Sequence, residues 1–200
     1  MASSTRLPKA ARRAQLIESA AAAFLARGFD GTSMDDVAQE AGVSRLIVYR
    51  NFESKQELYR TVLISVLIEV GVQFAGIDIE DVREQGAPKV MLPVARAHPD
   101  AFRLLWRHAW HEPPFEDLAL EFRGYVTGYA RAILENYIRD DAEVLKWASH
   151  TAGAHLIDGL CNWLDDGDPA RDDEFAELMT RGLRAMAEAW MGSPLIDPSA

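Results

Sequence analysis

Apolar residues recur at three- and four-residue spacing along most of the chain, the period of a helix with one buried face. Leu16, Ile17, Ala20, Ala23 and Phe24 form such a stripe and predict a helix over 12–27, stopped at Gly28, with Phe29 plugging a small core. Met34, Val37, Ala38 and Ala41 predict a short second helix closed by Gly42. Val48 and Phe52 give a third helix its inward face. From 55 to 75 the chain is apolar nearly all round, so that helix is expected to touch two bodies and to connect them. The stretch 76–86 reads as an acidic, broken connection, and Pro88 is well placed to open a helix over 89–97, kinked at Pro93. Further helices are expected over 99–110, ended by Pro113-Pro114, then over 115–139, 142–164 and 172–191.

The residues between 31 and 60 carry most of the chemical information. Thr32 and Ser33 are N-capping types, and Asp35 and Asp36 place acid in the first turn, where the helix dipole favours it. Gly42 suits a left-handed C-cap, Ser44 is a second capping residue, and the small Ala38 allows close approach. Two short helices joined by such a turn make a helix-turn-helix, whose second helix enters the major groove of DNA. That helix turns Val48 and Phe52 inward, which leaves Arg45, Leu46, Tyr49 and Arg50 on its outer face. Arginine pairs with guanine edges or phosphate, tyrosine bonds phosphate, and leucine touches a thymine methyl. Ser54 caps the next helix. Lys55 in its first turn opposes the dipole preference for acids, which a nearby phosphate would explain.

The run Thr32-Ser33-Met34, Val37-Ala38, Ala41-Gly42-Val43-Ser44, Val48-Tyr49-Arg50-Asn51-Phe52 and Ser54-Lys55 with Glu57-Leu58 resembles the TetR family of bacterial transcriptional regulators. The pattern covers about 45 residues. Matched position by position, the resemblance implies that Thr32 or Ser33, Ser44, Arg45, Tyr49, Arg50, Asn51 and Lys55 lie against DNA. The chain departs from the pattern at Leu46 and Ile47, where a small and then a polar residue are commoner.

Charge refines this picture. The net charge is −10, unusual for a DNA binder, but it is divided unevenly. Residues 1–60 carry nine Lys or Arg against seven Asp or Glu, and the remainder twelve against twenty-four. The acidic remainder would suppress non-specific contacts elsewhere on the surface. Residues 1–8 read as an arm, with Arg6 and Lys9 able to reach phosphate or the minor groove. The single cysteine, Cys161, excludes an intrachain disulfide and fits a reducing compartment. The N-terminus has no secretory apolar core, and the longest apolar run, 62–70, is interrupted by Ser65 and Glu69, so no membrane partner and a cytoplasmic location are expected.

The later helices offer ligand chemistry. Phe102, Trp106, Trp110, Phe122, Tyr125, Tyr129, Trp147 and His150 are candidates to line a largely apolar small-molecule pocket, with His98 or His155 as polar anchors. His108, His111 and Glu112 lack the further ligands a metal needs, and no nucleophile elbow, phosphate loop or zinc helix is present, so neither cofactor nor enzyme is expected. The resemblance implies a four-helix dimer interface made by 142–164 and 172–191, and a two-fold dimer is also what a palindromic double-stranded operator requires. The expected architecture is therefore all-α. An N-terminal three-helix DNA-binding domain over 1–54 is joined by the connector 55–75 to a ligand-binding and dimerisation domain over 76–200. The expected function is that of a repressor released by a small-molecule effector; a helical binding or catalytic protein of the same fold without operator recognition is the alternative.

Overall fold

The computed structural model describes residues 8–191, and the N-terminal arm expected over 1–8 falls almost wholly outside them. Every regular element among these residues is helical. Contacts gather into two compact units. One takes in the chain up to Ile68 together with His98–Ala119, and the other takes in Glu69–Ala97 and the chain from Leu120 onward.

In the first unit, α1 (Lys9–Gly31) loses helical geometry at Gly28 and buries Leu16, Ala20, Ala23 and Phe24. It packs on α2 (Met34–Glu40). Ser33 opens α2 with a capping box: its Oγ accepts the Asp36 N–H at 3.2 Å, and the Asp36 carboxylate accepts the Ser33 N–H at 2.8 Å. The Ser33 hydroxyl, which also donates to the Asp36 carboxylate, and then the Ser33 N–H hold that carboxyl below the usual range. Ser33→Ala is expected to cost about 1 kcal/mol, read as a fall in Tm of roughly 2–4 °C; an unchanged Tm would show that the box does not hold the helix start.

The turn after α2 is a Schellman closure. Gly42 sits at φ +62°, a region that penalises any Cβ, and the Val43 N–H reaches back to the Ala38 carbonyl at 2.9 Å. α3 (Arg45–Tyr49) follows and buries Val48. Ser44 precedes it in extended geometry but makes no side-chain capping bond, unlike the expectation drawn from its type. α4 (Lys55–Ala75) does receive its cap, from Ser54 Oγ to the Glu57 N–H at 3.1 Å.

Residues 98–119, which the sequence reading assigns to the second domain, belong to this first unit. Pro99 begins α7 (Pro99–Arg103), and the chain continues through a π-turn at Leu104–His108 and 3-10 turns at Ala109–His111 and Pro113–Phe115. They seat Phe115 beside Tyr59 and Phe29, with ring centroids 4.5 and 4.9 Å away. Phe24 meets Tyr59 edge-on at 4.7 Å. Glu112 accepts the Phe29 N–H at 3.2 Å, and Arg60 grips the Asp117 carboxylate with both terminal nitrogens at 2.8 and 3.0 Å. Burial, and then the neighbouring Glu112 carboxylate, push the Tyr59 phenol far above its ordinary range.

The second unit holds α5 (Ile79–Gln85), α6 (Ala87–Ala97), most of α8 (Glu116–Leu134), α9 (Ala142–Asp166) and α10 (Asp172–Met191). α5 replaces the broken connection expected over 76–86; Asp78 caps it by accepting the Glu80 N–H at 2.9 Å. Gly86 ends it at φ +95°, where a Cβ would lie 2.1 Å from Thr180 Oγ1. α8 stops at Leu134, short of the expected 139, because Tyr137 and Ile138 donate back to the Leu134 carbonyl in a turn. α9 and α10 are joined by a clamp in which Asp172 accepts from Arg96 Nε and Nη2 and from Trp163 Nε1, while Trp163 stacks on Phe175 at 4.6 Å.

α4 runs from the first unit into the second. By length and composition it would match a membrane span, although the apolar run inside it looked too short. Its Leu58, Tyr59, Val62, Leu63, Val66 and Val70 are instead buried within the protein.

Candidate nucleic-acid interface and effector cavity

α3 is only five residues long, yet its orientation is fixed from several sides. Val48 and the following Phe52 are fully buried beneath it, and Arg13 of α1 lies over the Phe52 ring at 4.1 Å while donating to the Asn51 carbonyl at 2.6 Å. Gln15 of α1 donates to the Ala41 carbonyl at 3.0 Å, which occupies the end of α2. With its inner side committed in this way, the helix turns Ser44, Arg45, Leu46, Tyr49 and Arg50 to the surface. Leu46 is 57% exposed.

The outer side chains differ in how free they are. Arg45 donates to the Asp35 carboxylate at 2.9 Å and to the Tyr49 hydroxyl at 3.3 Å, and lies over the Tyr49 ring at 5.1 Å. The Tyr49 hydroxyl first, and then Asp35, raise its already high pKa, so it stays charged. Arg50 has no side-chain partner among the described residues and can engage phosphate or a base edge without breaking an internal bond. Asn51 donates its amide to the Ile47 carbonyl at 2.8 Å, which closes the end of α3.

Two further residues expected against DNA are, like Asn51, engaged internally. Thr32 is 2% exposed, and its hydroxyl donates to the Gly28 carbonyl at 2.7 Å and the Ala23 carbonyl at 3.2 Å, sealing the end of α1. Lys55 donates to the Phe29 carbonyl at 2.7 Å and sits over the Phe29 ring at 4.4 Å. The misplaced charge in the first turn of α4 is thus explained by the carbonyls that end α1, with no phosphate required. Asp35, Arg13 and Gln15 form the bracing that the sequence reading missed; their partners lie 10, 38 and 26 residues away, beyond any local pattern.

This segment has known counterparts. Residues 16–62 match the family model described as bacterial regulatory proteins, tetR family. Over this segment the chain is similar to the tetR family. The HTH-type transcriptional activator FasR of Mycolicibacterium smegmatis is similar, 47% identical over 58 residues, 29% of this chain and 26% of that protein. An HTH-type transcriptional repressor of Streptomyces coelicolor is 29% identical over 96 residues, 48% of each. The chain thus matches between a quarter and a half of these curated relatives' lengths. A solved TetR-like transcriptional regulator from Rhodococcus sp. RHA1 shares the fold over 90% of this chain and 99% of its own, at a TM-score of 0.65 and 24% identity.

The second unit encloses a cavity of about 170 Å³. Its apolar walls come from Phe74 of α4, Met91 of α6, Val126, Ile133 and Leu134 of α8, Leu156 of α9 and Leu183 of α10, with Arg83, Thr180, Arg184 and Glu188 as polar members. Of the eight aromatic or histidine residues expected at a pocket, only Tyr129 lines it, in ring contact with Phe74 at 3.9 Å. Phe102 and Trp106 are core residues of the first unit, and Phe122 is fully buried in packing. Tyr125 borders a shallow surface depression with Gly124 and Gly128. Trp110 is exposed, Trp147 lies at the surface against Trp190 at 5.0 Å, and exposed His150 has only Thr127 Oγ1 at 3.4 Å.

Proposed function

We propose that the protein is a sequence-specific, DNA-binding transcriptional regulator, a homodimeric repressor that leaves its palindromic operator when a small molecule occupies the cavity. It acts by binding and catalyses no reaction. The observation that carries this reading is the outer face of α3, where Arg45, Leu46, Tyr49 and Arg50 are exposed together on a helix whose opposite side is locked into the core. Ser33 and Ser44 flank that face with exposed hydroxyls suited to phosphate, whereas Thr32, Asn51 and Lys55 support the DNA contacts from behind.

Residues 1–54 are the DNA reader, 55–75 the connector, and 76–200, apart from the segment 98–119 that packs in the first unit, carry the effector and dimer functions. Dimerisation through 142–164 and 172–191 is supported by Trp147 and Leu178, apolar side chains 46% and 59% exposed on α9 and α10. A two-fold dimer gives two reading helices for half-sites about 34 Å apart. The effector changes that match by binding one dimer geometry better than the other. The site of action is the cytoplasm.

The test is a fluorescence-polarisation titration against DNA from immediately upstream of the protein's own coding region, then genome-wide selection, at two salt concentrations with scrambled competitor. Specific binding that weakens with salt is the expected result; no specific binding to either would sink the reading. Because the relatives include a named activator and a named repressor, a promoter-reporter assay decides the sign of regulation.

A further inference from the structure

We infer that the effector is an uncharged, largely apolar molecule bearing one oxygen acceptor, such as a ketone, ester or amide carbonyl, anchored on Arg83 Nε. This rests on the reading of the cavity as the effector site. Arg83 lines that cavity from the last turn of α5, and its guanidinium is held by the protein on every nitrogen but one. Nη1 donates to Glu80 at 2.5 Å and Nη2 to the Ala132 carbonyl at 2.8 Å. With its amide oxygen turned toward the guanidinium, Asn136 accepts from both, at 2.9 and 2.5 Å. Nε alone is buried without a hydrogen-bond partner among the described residues.

A buried, unfilled N–H in an apolar setting is costly, and this one belongs to a planar group already fixed in direction. An acceptor oxygen delivered there would gain its full bond with little ordering to undergo. The remaining charges decide between a neutral acceptor and an anion. Glu80 already pairs with Arg83, and Arg184 and Glu188 both line the cavity. Arg184 Nη2 donates to the Arg83 and Glu84 carbonyls at 2.7 and 2.8 Å, closing the end of α5. Two guanidiniums thus stand with two carboxylates, and the site is balanced before anything enters. A carboxylate would add an unmatched charge to mostly apolar walls, whereas a carbonyl fills the orphan donor without disturbing the balance. The cavity is of the size that accepts a small hydrocarbon body.

The experiment measures binding of 2-heptanone, n-heptane and heptanoate to the full chain by calorimetry and thermal shift. 2-Heptanone is expected to bind about tenfold tighter than either of the others. Arg83→Met is expected to remove that margin while heptane affinity stays. Because Arg83 also braces α5 against α8, the comparison of the three compounds on the unaltered protein stands by itself if the variant unfolds. Ile133→Trp, which fills the cavity, is expected to abolish binding of all three. Heptanoate binding as well as or better than the ketone, or heptane matching it, overturns the inference and leaves the cavity as the site. Binding of none of the three, or binding indifferent to Ile133→Trp, overturns the cavity reading and the inference together.

Discussion

Changing both Arg45 and Arg50 to alanine is expected to weaken specific DNA binding by at least about a hundredfold while leaving the fold unchanged. An arginine contact to a base edge or phosphate typically accounts for about ten- to a hundredfold in affinity, and these are the only two arginines on the outer face of α3. The two single variants should differ in kind. Arg50 has no internal bond to break, so its loss subtracts directly from binding. Arg45 must first exchange Asp35 for DNA, so part of its contact is spent on that exchange. If either arginine holds a phosphate, its variant also reduces the slope of log affinity against log salt by about 1. Polarisation titrations of the wild type and three variants across salt decide this, with circular dichroism as the control for folding. Retention of near wild-type specific affinity in the double variant would mean that α3 is not the reading helix.

The parts that were legible in the sequence are those whose causes are local. A capping serine, two acids in a first turn, a glycine in the left-handed region and a four-residue apolar spacing act within one or two turns, and they located α2, the turn and α3 to within a residue or two. α5 was missed although its local signals were present, an Asp78 cap and a Gly86 stop, because seven residues rich in acid carry too short an apolar stripe. Thr32 and Lys55 look like DNA contacts by type and position. Only the folded chain brings the carbonyls that end α1 to both side chains. The cavity shows the same limit from the other side. Large aromatics were chosen as its lining, but a ring that packs well fills space: Phe102 and Phe122 are wholly buried, and the void is left beside other rings, aliphatic side chains and an arginine held in part by the Ala132 carbonyl, 49 residues along the chain.

The segment 98–119 carries the largest expected effect on stability. Phe115→Ala is expected to destabilise the first unit by about 3–5 kcal/mol, a large part of the roughly 5–15 kcal/mol that holds a typical domain folded. Phe115 is fully buried and touches two rings at once, Tyr59 of α4 and Phe29 at the end of α1, while Arg60 reaches across its face at 5.9 Å. Removing the ring leaves a void under the Tyr59 phenol, whose hydroxyl is already buried without a hydrogen bond, so water entering the void would hydrate that hydroxyl and favour local opening. Phe29 would lose one of the groups that fix it beneath the Lys55 cap, and the end of α1 should loosen with it. The measurement is thermal and urea unfolding followed by tryptophan fluorescence, to which Trp106 and Trp110 report from this unit. A fall in Tm of roughly 6–20 °C is expected, together with faster amide exchange in α1 from Phe24 onward. A loss below about 1 kcal/mol would mean that the neighbouring rings collapse into the space, and that this segment is an accessory of the DNA-reading unit rather than part of its core.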